Sequence, residues 1–470
     1  MAIKPLPDAF FEPRSIAVIG ASVNKLFGSA IPKTLIELGY KEHLYLVNPH
    51  QREIEGMPVY RRVTDVQQAV DLAIVVVPGM NVPDVIRDCR AKNIPAVIIE
   101  SAGFSEIGEE GAKLEEEIKA LIRGTDMRII GPNCIGVVNT HGRFASTELA
   151  FDELREGNIG VIAQSGVFGN ILTDWAPTQN LAFSKLVTIG NCIDVDETDL
   201  IYYFAEDEKT DVIVLYLEGV SNGPRFFKAA SEVSPKKPIL VYKSGRTKEG
   251  GQAAAIHTGS ISGEDNLYEG LFRQAGVIRT YSFQELFDLA RVFAAEPLMT
   301  GPNVGIVTCS GSLGVMAADE CARLGLNFPA LCPEAVTELN KQKPAWMKIG
   351  NPLDVGPSGL FSNAINAVLK DDRINGMIAF PVVPGTAVET LEKEGINLEL
   401  LFGDAVEYRI LSQHKPLVMF TFGADFWMRE VKKLLGGAFT IVSSPEIASR
   451  ALWQLYRYYQ YRQMKSGAAI

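Results

Sequence analysis

The sequence predicts an α/β protein of three consecutive parallel-sheet domains, and three observations carry that prediction. Runs rich in Val, Ile and Leu recur at strand length along all 470 residues. Amphipathic helical patterns alternate with them, as crossovers between parallel strands require. Each set also opens with a strand that runs straight into a small-residue turn: "GAS" at 20–22, "QSGVFG" at 164–169 and "CSGSLG" at 309–314. Sheets covered by helices on both faces have a Rossmann-like or flavodoxin-like architecture.

Taken in order, residues 1–142 form the first domain, with strands expected in "SIAVIG", "HLYLVN", "LAIVVVP", "AVIIES" and "MRIIGPNCIGV". Helices are expected in "SAIPKTLIELG" and "EEGAKLEEEIKALIRG". The second domain, 143–297, has "NIGVIAQSG", "FSKLVTIGN", "DVIVLYLEG" and "KPILVYKSG"; the third, 298–470, has "NVGIVTCSG", "GMIAFPVV", "PLVMFTFG" and "AFTIVSS". The Pro and Gly of "EPLMTGPN" mark the second joint. A closing helix, "ASRALWQLYRYYQYRQMKSG", offers Trp453, Leu455 and Tyr459 for packing on a core.

Composition narrows the function. Hydrophobic residues at 47% and charged residues at 21% supply several cores. A formal net charge of −11 argues against a general polyanion binder, so no nucleic-acid partner is expected. Six scattered cysteines without a CxxC pair point to reduced thiols and no metal site. "MAIKPLPDAFFEPRS" lacks the apolar segment of a signal peptide, and "LAIVVV" is too short to span a bilayer. The expectation is a soluble, cytoplasmic protein without a membrane partner.

Turns between a strand end and a helix N-terminus can present backbone N–H groups to an anion, at the sheet edge where α/β ligands bind. The same glycines can serve tight strand-to-helix packing alone; three such turns in one chain favour phosphate chemistry. A nicotinamide site is disfavoured. The first turn, "GASVNKLFG", has Ala21, Ser22 and Val23 where the dinucleotide pattern needs glycines, and the second strand ends in "LVNPH" without a carboxylate.

"GGQAAAIHTGSISGED", residues 250–265, places His257 among glycines, alanines and small hydroxyls, a segment expected to bend freely. Neutral imidazole is a competent nucleophile near pH 7, and a weakly packed segment can move its cargo.

The ordered series "VIGAS", "LVNP", "VVVP", "ESAGF", "GPNCIG", "QSGVFG", "IGNCIDVDETD", "LYLEG", "AAIHTGSISGED", "CSGSLG" and "GNPLDV" resembles the α subunit of the ADP-forming acyl-CoA synthetases, relatives of succinyl-CoA synthetase, over essentially the whole chain. The resemblance implies an acid–CoA ligase that interconverts acyl-CoA, ADP and phosphate with carboxylate, CoA and ATP through an acyl phosphate and a phosphohistidine. It implies His257 as the phosphohistidine and Glu218 as the carboxylate that steadies its ring. Two helix N-termini, at Ser165, Gly166 and Val167 and at Ser310, Gly311 and Ser312, are implied as phosphate sites, with Leu313 interrupting the glycine-rich pattern of the second.

For CoA the implied contacts are Gly20, Ala21, Ser22, Asn48, Pro49, Val77, Pro78, Ser101, Ala102 and Gly103, with Lys25, Gln51 and Arg52 as further candidates for its phosphates. Asn133 and Cys134 fall where the thioester end should emerge. Cys134 reads as a small buried residue, because the implied chemistry needs no cysteine. No stretch offers an ATP-grasp module, so a separate ATP-grasp β subunit is expected to supply ATP or ADP and Mg²⁺, in an α₂β₂ assembly. The alternative is a non-catalytic CoA or acyl-CoA-binding regulator of the same fold.

Overall fold

A computed structural model describes residues 4–23, 26–149, 154–258, 264–386, 412–435 and 439–467. The first sheet contains β1 (Ile16–Ile19), β2 (Leu44–Val47), β3 (Glu53–Ile54), β4 (Met57–Tyr60), β5 (Leu72–Val75), β6 (Ala96–Ile99) and β7 (Arg128–Ile130). Its order is β3-β4-β2-β1-β5-β6-β7, parallel except for the β3–β4 hairpin. β1 lies between β2 and β5, so the winding reverses there and leaves a crevice at the strands' carboxyl ends.

The second sheet contains β8 (Val137–Asn139), β9 (Phe144–Ala145), β10 (Glu156–Ala163), β11 (Phe183–Thr188), β12 (Val212–Leu217), β13 (Ile239–Lys243) and β14 (Ile278–Thr280). It runs β14-β13-β12-β10-β11-β8-β9, with β8 antiparallel to both neighbours. The third contains β15 (Val304–Thr308), β16 (Leu353–Asp354), β17 (Gly376–Phe380), β18 (Leu417–Phe420) and β19 (Thr440–Val442), all parallel in the order β16-β15-β17-β18-β19. The predicted α/β class is therefore the observed one. "MRIIGPNCIGV", expected as one strand, divides instead. Gly131 and Gly136 take positive φ values of 100° and 80° and turn the chain from β7 in the first sheet to β8 in the second.

Two compact units result: Met1–Tyr281 holds the first two sheets, and Ser282–Ile470 holds the third. In the first unit one apolar cluster runs from Ile16, Val18 and Leu46 to Val187, Leu215 and Phe226. The buried Arg128 of β7 reaches Asp194 at 2.9 Å and Asp199 at 2.8 Å, while Arg225 pairs with Asp196 and Asp199. Such a network ties the two sheets because neither guanidinium nor carboxylate can be left alone in the interior.

In the second unit the helix Phe283–Ala295 and its successor are tied in by polar contacts. Asp288 accepts the Ser443 N–H at 3.0 Å, and Glu296 accepts the Leu417 N–H at 3.1 Å. The closing helix, Pro445–Ser466, starts at Ser444, whose hydroxyl accepts the Ile447 N–H. It buries Leu452, Leu455 and Tyr458, while Trp453 and Tyr459 stay half-buried and Arg457 lies over the Trp453 ring at 5.4 Å.

Candidate active site

At the carboxyl ends of β1, β2 and β5 the first unit opens into a cleft of about 850 Å³. Gly20, Ser22, Asn48, Pro49, Val77 and Pro78 line it, together with Gln51, Arg61, Arg62 and Arg87. Gly20 has φ 103°, and a Cβ there would stand 2.7 Å from the Val76 carbonyl oxygen, so only glycine fits the turn. The Asn48 amide donates to the Ala21 carbonyl at 2.7 Å, which locks the second strand end onto the first turn. Gln51 donates to the Ser22 hydroxyl at 3.2 Å. Ala21 is buried behind this surface. Ser101, Ala102 and Gly103 lie after β6 rather than in the cleft wall; Ser101 donates to Val75 O, and Glu106 accepts the Gly103 N–H. Arg52 is exposed, and Lys25 lies outside the described residues.

A second group gathers where the turns after β7, β10, β11 and β12 meet. Ser165 sits at the N-cap of the helix Gly166–Thr178 and makes no side-chain cap there. An uncapped helix N-terminus favours an anion. A Cβ on Gly166 would come within 3.0 Å of Ile135, so the "GPNCIG" turn presses directly on this helix start. Val167 points outward and is 65% exposed. The Asn133 amide donates to Asn191 Oδ1 at 3.3 Å, and Asn191 in turn donates to Glu106 and Glu115, both at 2.8 Å. Cys134 is buried with its thiol aimed at Ile99 O, and burial, reinforced by Glu100, pushes that thiol far up. A thiolate nucleophile is thereby disfavoured.

Glu218 follows β12 and is 4% exposed. Gln164, the last residue before Ser165, clamps it: one amide oxygen accepts the Glu218 and Gly219 N–H groups, and the amide nitrogen donates to Gly219 O at 2.8 Å. The Tyr216 hydroxyl donates to Glu218 Oε1 at 3.3 Å. His257 belongs to the helix Lys248–Thr258, and its side chain lies outside the described ones, as do residues 259–263. The freely bending segment expected from composition is thus a helix as far as Thr258. Thr247 starts it by accepting the Gly250 N–H at 3.0 Å, Ala253, Ala254 and Ala255 have the highest helix propensity, and Ala254 is buried.

In the second unit Ser310 occupies the N-cap position of the helix Gly311–Arg323 without a side-chain cap, in a turn braced by Thr308, and its hydroxyl lies 3.0 Å from that of Ser312. Leu313 is buried. The Asp354 carboxylate stands so close that a Cβ on Gly311 would be 2.7 Å from its Oδ2. A negative charge thus stands beside this helix start.

Three residues escaped the sequence reading. Gln164 stood in plain view inside "QSG", but its clamp on Glu218 is a tertiary contact. Glu100 has a buried Oε1 without a hydrogen-bond partner among the described residues, and burial, then Glu148, holds its carboxyl well above the usual range. Lys243, at the end of β13, is 1% exposed; its ammonium donates to Ser244 O and lies 4.7 Å from the centre of the Tyr268 ring.

Burial pulls the Lys243 ammonium from 10.5 down to about 8; Asp265 and Glu218 pull upward and Arg279 downward. The unfolded chain holds this proton to about pH 10.5 and the folded chain to about 8. The unfolded state therefore binds more protons between those values, and stability rises with pH across that window. Lys243→Met is expected to be about 1–3 kcal/mol more stable than the parent at pH 7, with the gap closing from pH 8 to 10.5 in urea titrations. A gap that is constant with pH would contradict the assignment.

A crevice at a topological switch point, an uncapped helix start and a buried carboxylate at a neighbouring strand end are the features by which α/β proteins hold phosphorylated ligands. Residues 14–140 match the family model described as a CoA binding domain, and residues 156–293 match that of the succinyl-CoA ligase like flavodoxin domain. The chain is 42% identical over 344 residues to the ADP-forming acetate–CoA ligase of Methanocaldococcus jannaschii, covering 73% of this chain and 48% of that protein. With the alpha subunit of ADP-forming acetate–CoA ligase I from Pyrococcus furiosus it shares 36% identity over 97% of this chain and 98% of the relative. The solved dinucleotide-forming acetyl-coenzyme A synthetase 1 of Candidatus Korarchaeum cryptofilum, in complex with phosphate and ADP, superposes with a TM-score of 0.87 at 31% identity, covering 98% of this chain and 99% of that one. The chain belongs to the family of ADP-forming acyl-CoA ligases. It spans about half the length of the Methanocaldococcus relative and nearly all of the Pyrococcus subunit.

Proposed function

We propose that this chain is the α subunit of an ADP-forming acid–CoA ligase. CoA lies in the cleft at the ends of β1, β2 and β5. Phosphate attacks the acyl carbon of acyl-CoA; the carbon–sulfur bond breaks, CoA leaves as the thiol, and an acyl phosphate forms. A ring nitrogen of His257 then attacks phosphorus, releasing the carboxylate. ADP takes the phosphoryl group from His257, giving ATP and restoring the imidazole. Ser165, Gly166 and Val167 hold the phosphate at the helix start, Ser310, Gly311 and Ser312 serve a second phosphate position, and Asn133 and Cys134 flank the thioester end.

The observation that carries this reading is the clamp of Gln164 on Glu218. It fixes a buried carboxylate at a strand end next to the helix start at Ser165. A carboxylate held in that way can accept the proton on one imidazole nitrogen and raise the nucleophilicity of the other. Support for a partner comes from relatives named alpha subunits. A separate ATP-grasp β subunit in an α₂β₂ assembly would bind ADP or ATP with Mg²⁺, which neutralises phosphate charge. Retention of His257 together with Glu218 disfavours a purely regulatory CoA binder. Among the described residues no helix is long and apolar enough to cross a membrane, and a cytoplasmic setting fits the free cysteines.

The test is reconstitution. With an ATP-grasp partner, acyl-CoA, ADP and phosphate, the chain is expected to release one CoA per ATP formed and to make no ATP alone. CoA release without ATP would contradict the reading.

A further inference from the structure

The CoA cleft contains three arginines, and two of them are already neutralised. Arg62 makes a two-pronged pair with Asp88, and Arg87 bridges Asp84 and Glu117. Arg61 also lines the cleft, yet its guanidinium has no ion-pair or hydrogen-bond partner among the described residues. Gln51, which lines the same cleft, spends its amide nitrogen on Ser22, while its Oε1 is buried without a partner among the described residues. An unfilled acceptor and an uncommitted guanidinium lining one cleft suit a ligand that carries a hydroxyl or amino donor together with a phosphate. The phosphorylated ribose end of CoA has that pairing, its 2′-hydroxyl standing beside the 3′-phosphate.

Resting on the reading of this cleft as the CoA site, we propose that Arg61 recognises the 3′-phosphate of CoA, with Gln51 Oε1 accepting from the adjoining hydroxyl. Arg61 then separates CoA from its dephosphorylated form, while the Gly20–Ser22 turn serves both alike. Arg61 sits on the surface after β4, so its replacement leaves the core untouched.

Calorimetric titration with CoA and with 3′-dephospho-CoA decides the matter. The parent protein is expected to bind CoA roughly 10- to 100-fold more tightly than dephospho-CoA. Arg61→Gln is expected to weaken CoA by that factor and leave dephospho-CoA unchanged, and Arg61→Lys to recover part of the loss. Equal effects on both ligands, or none on either, would overturn the role of Arg61. A parent protein that binds neither would instead overturn the CoA reading of the cleft, and this inference with it.

Discussion

His257→Asn is expected to abolish phosphoryl transfer: the reconstituted enzyme loses about 10⁴-fold or more in kcat and incorporates no phosphate. Asparagine keeps a polar side chain but has no nitrogen lone pair able to attack phosphorus. Thr247 starts the helix Lys248–Thr258 and the buried Ala254 packs it, and the substitution changes neither while removing the proposed nucleophile. CoA binding, proposed for the cleft at the ends of β1, β2 and β5, is expected to persist in the same preparation, because His257 is not among the described residues that line that cleft. A variant that still forms ATP at more than a hundredth of the parent rate, an order-of-magnitude threshold set by nucleophile deletions, would remove His257 from the pathway.

Glu218→Gln is the second large effect. The amide matches the carboxylate in shape, and the clamp from Gln164 acts on backbone groups that the substitution leaves alone. Tyr216 can still donate to the remaining oxygen. In the proposed mechanism what changes is the charge assigned to orient the imidazole and to stabilise it as positive charge develops. Losing a carboxylate in that role lowers turnover by about 10²- to 10⁴-fold with little change in geometry. Quenched-flow measurement of phosphohistidine formation should show the loss in rate, while KM for CoA stays put. A rise in KM for CoA with an unchanged transfer rate would place Glu218 elsewhere in the chemistry.

The strands were readable because burial on both faces demands uninterrupted Val, Ile and Leu, as in "DVIVLYLEG" and "NVGIVTCSG". The two-residue strands Glu53–Ile54 and Phe144–Ala145 have no such signal, since two residues display no period. The run "MRIIGPNCIGV" misled because apolar content is the same whether a strand continues or a glycine turn carries it into another sheet. The helical state of residues 248–258 was hidden behind Gly250 and Gly251, although the three alanines after them favour a helix. Among the candidate site residues, motif order named Glu218 and the turn at Ser165. It could not show that Gln164 joins them, that Lys243 buries its ammonium at the next strand end, or that Asp354 already faces Gly311. Those are contacts between segments far apart in sequence, and a single chain's pattern holds no record of them.

The most direct measurement is mass-spectrometric mapping of the phosphate after the reconstituted enzyme has turned over with acyl-CoA, phosphate and no ADP, followed by addition of ADP. The account predicts a single acid-labile, base-stable phosphate on His257 that disappears as an equal amount of ATP forms. A phosphate found on another residue, or one on His257 that ADP fails to discharge, would contradict it.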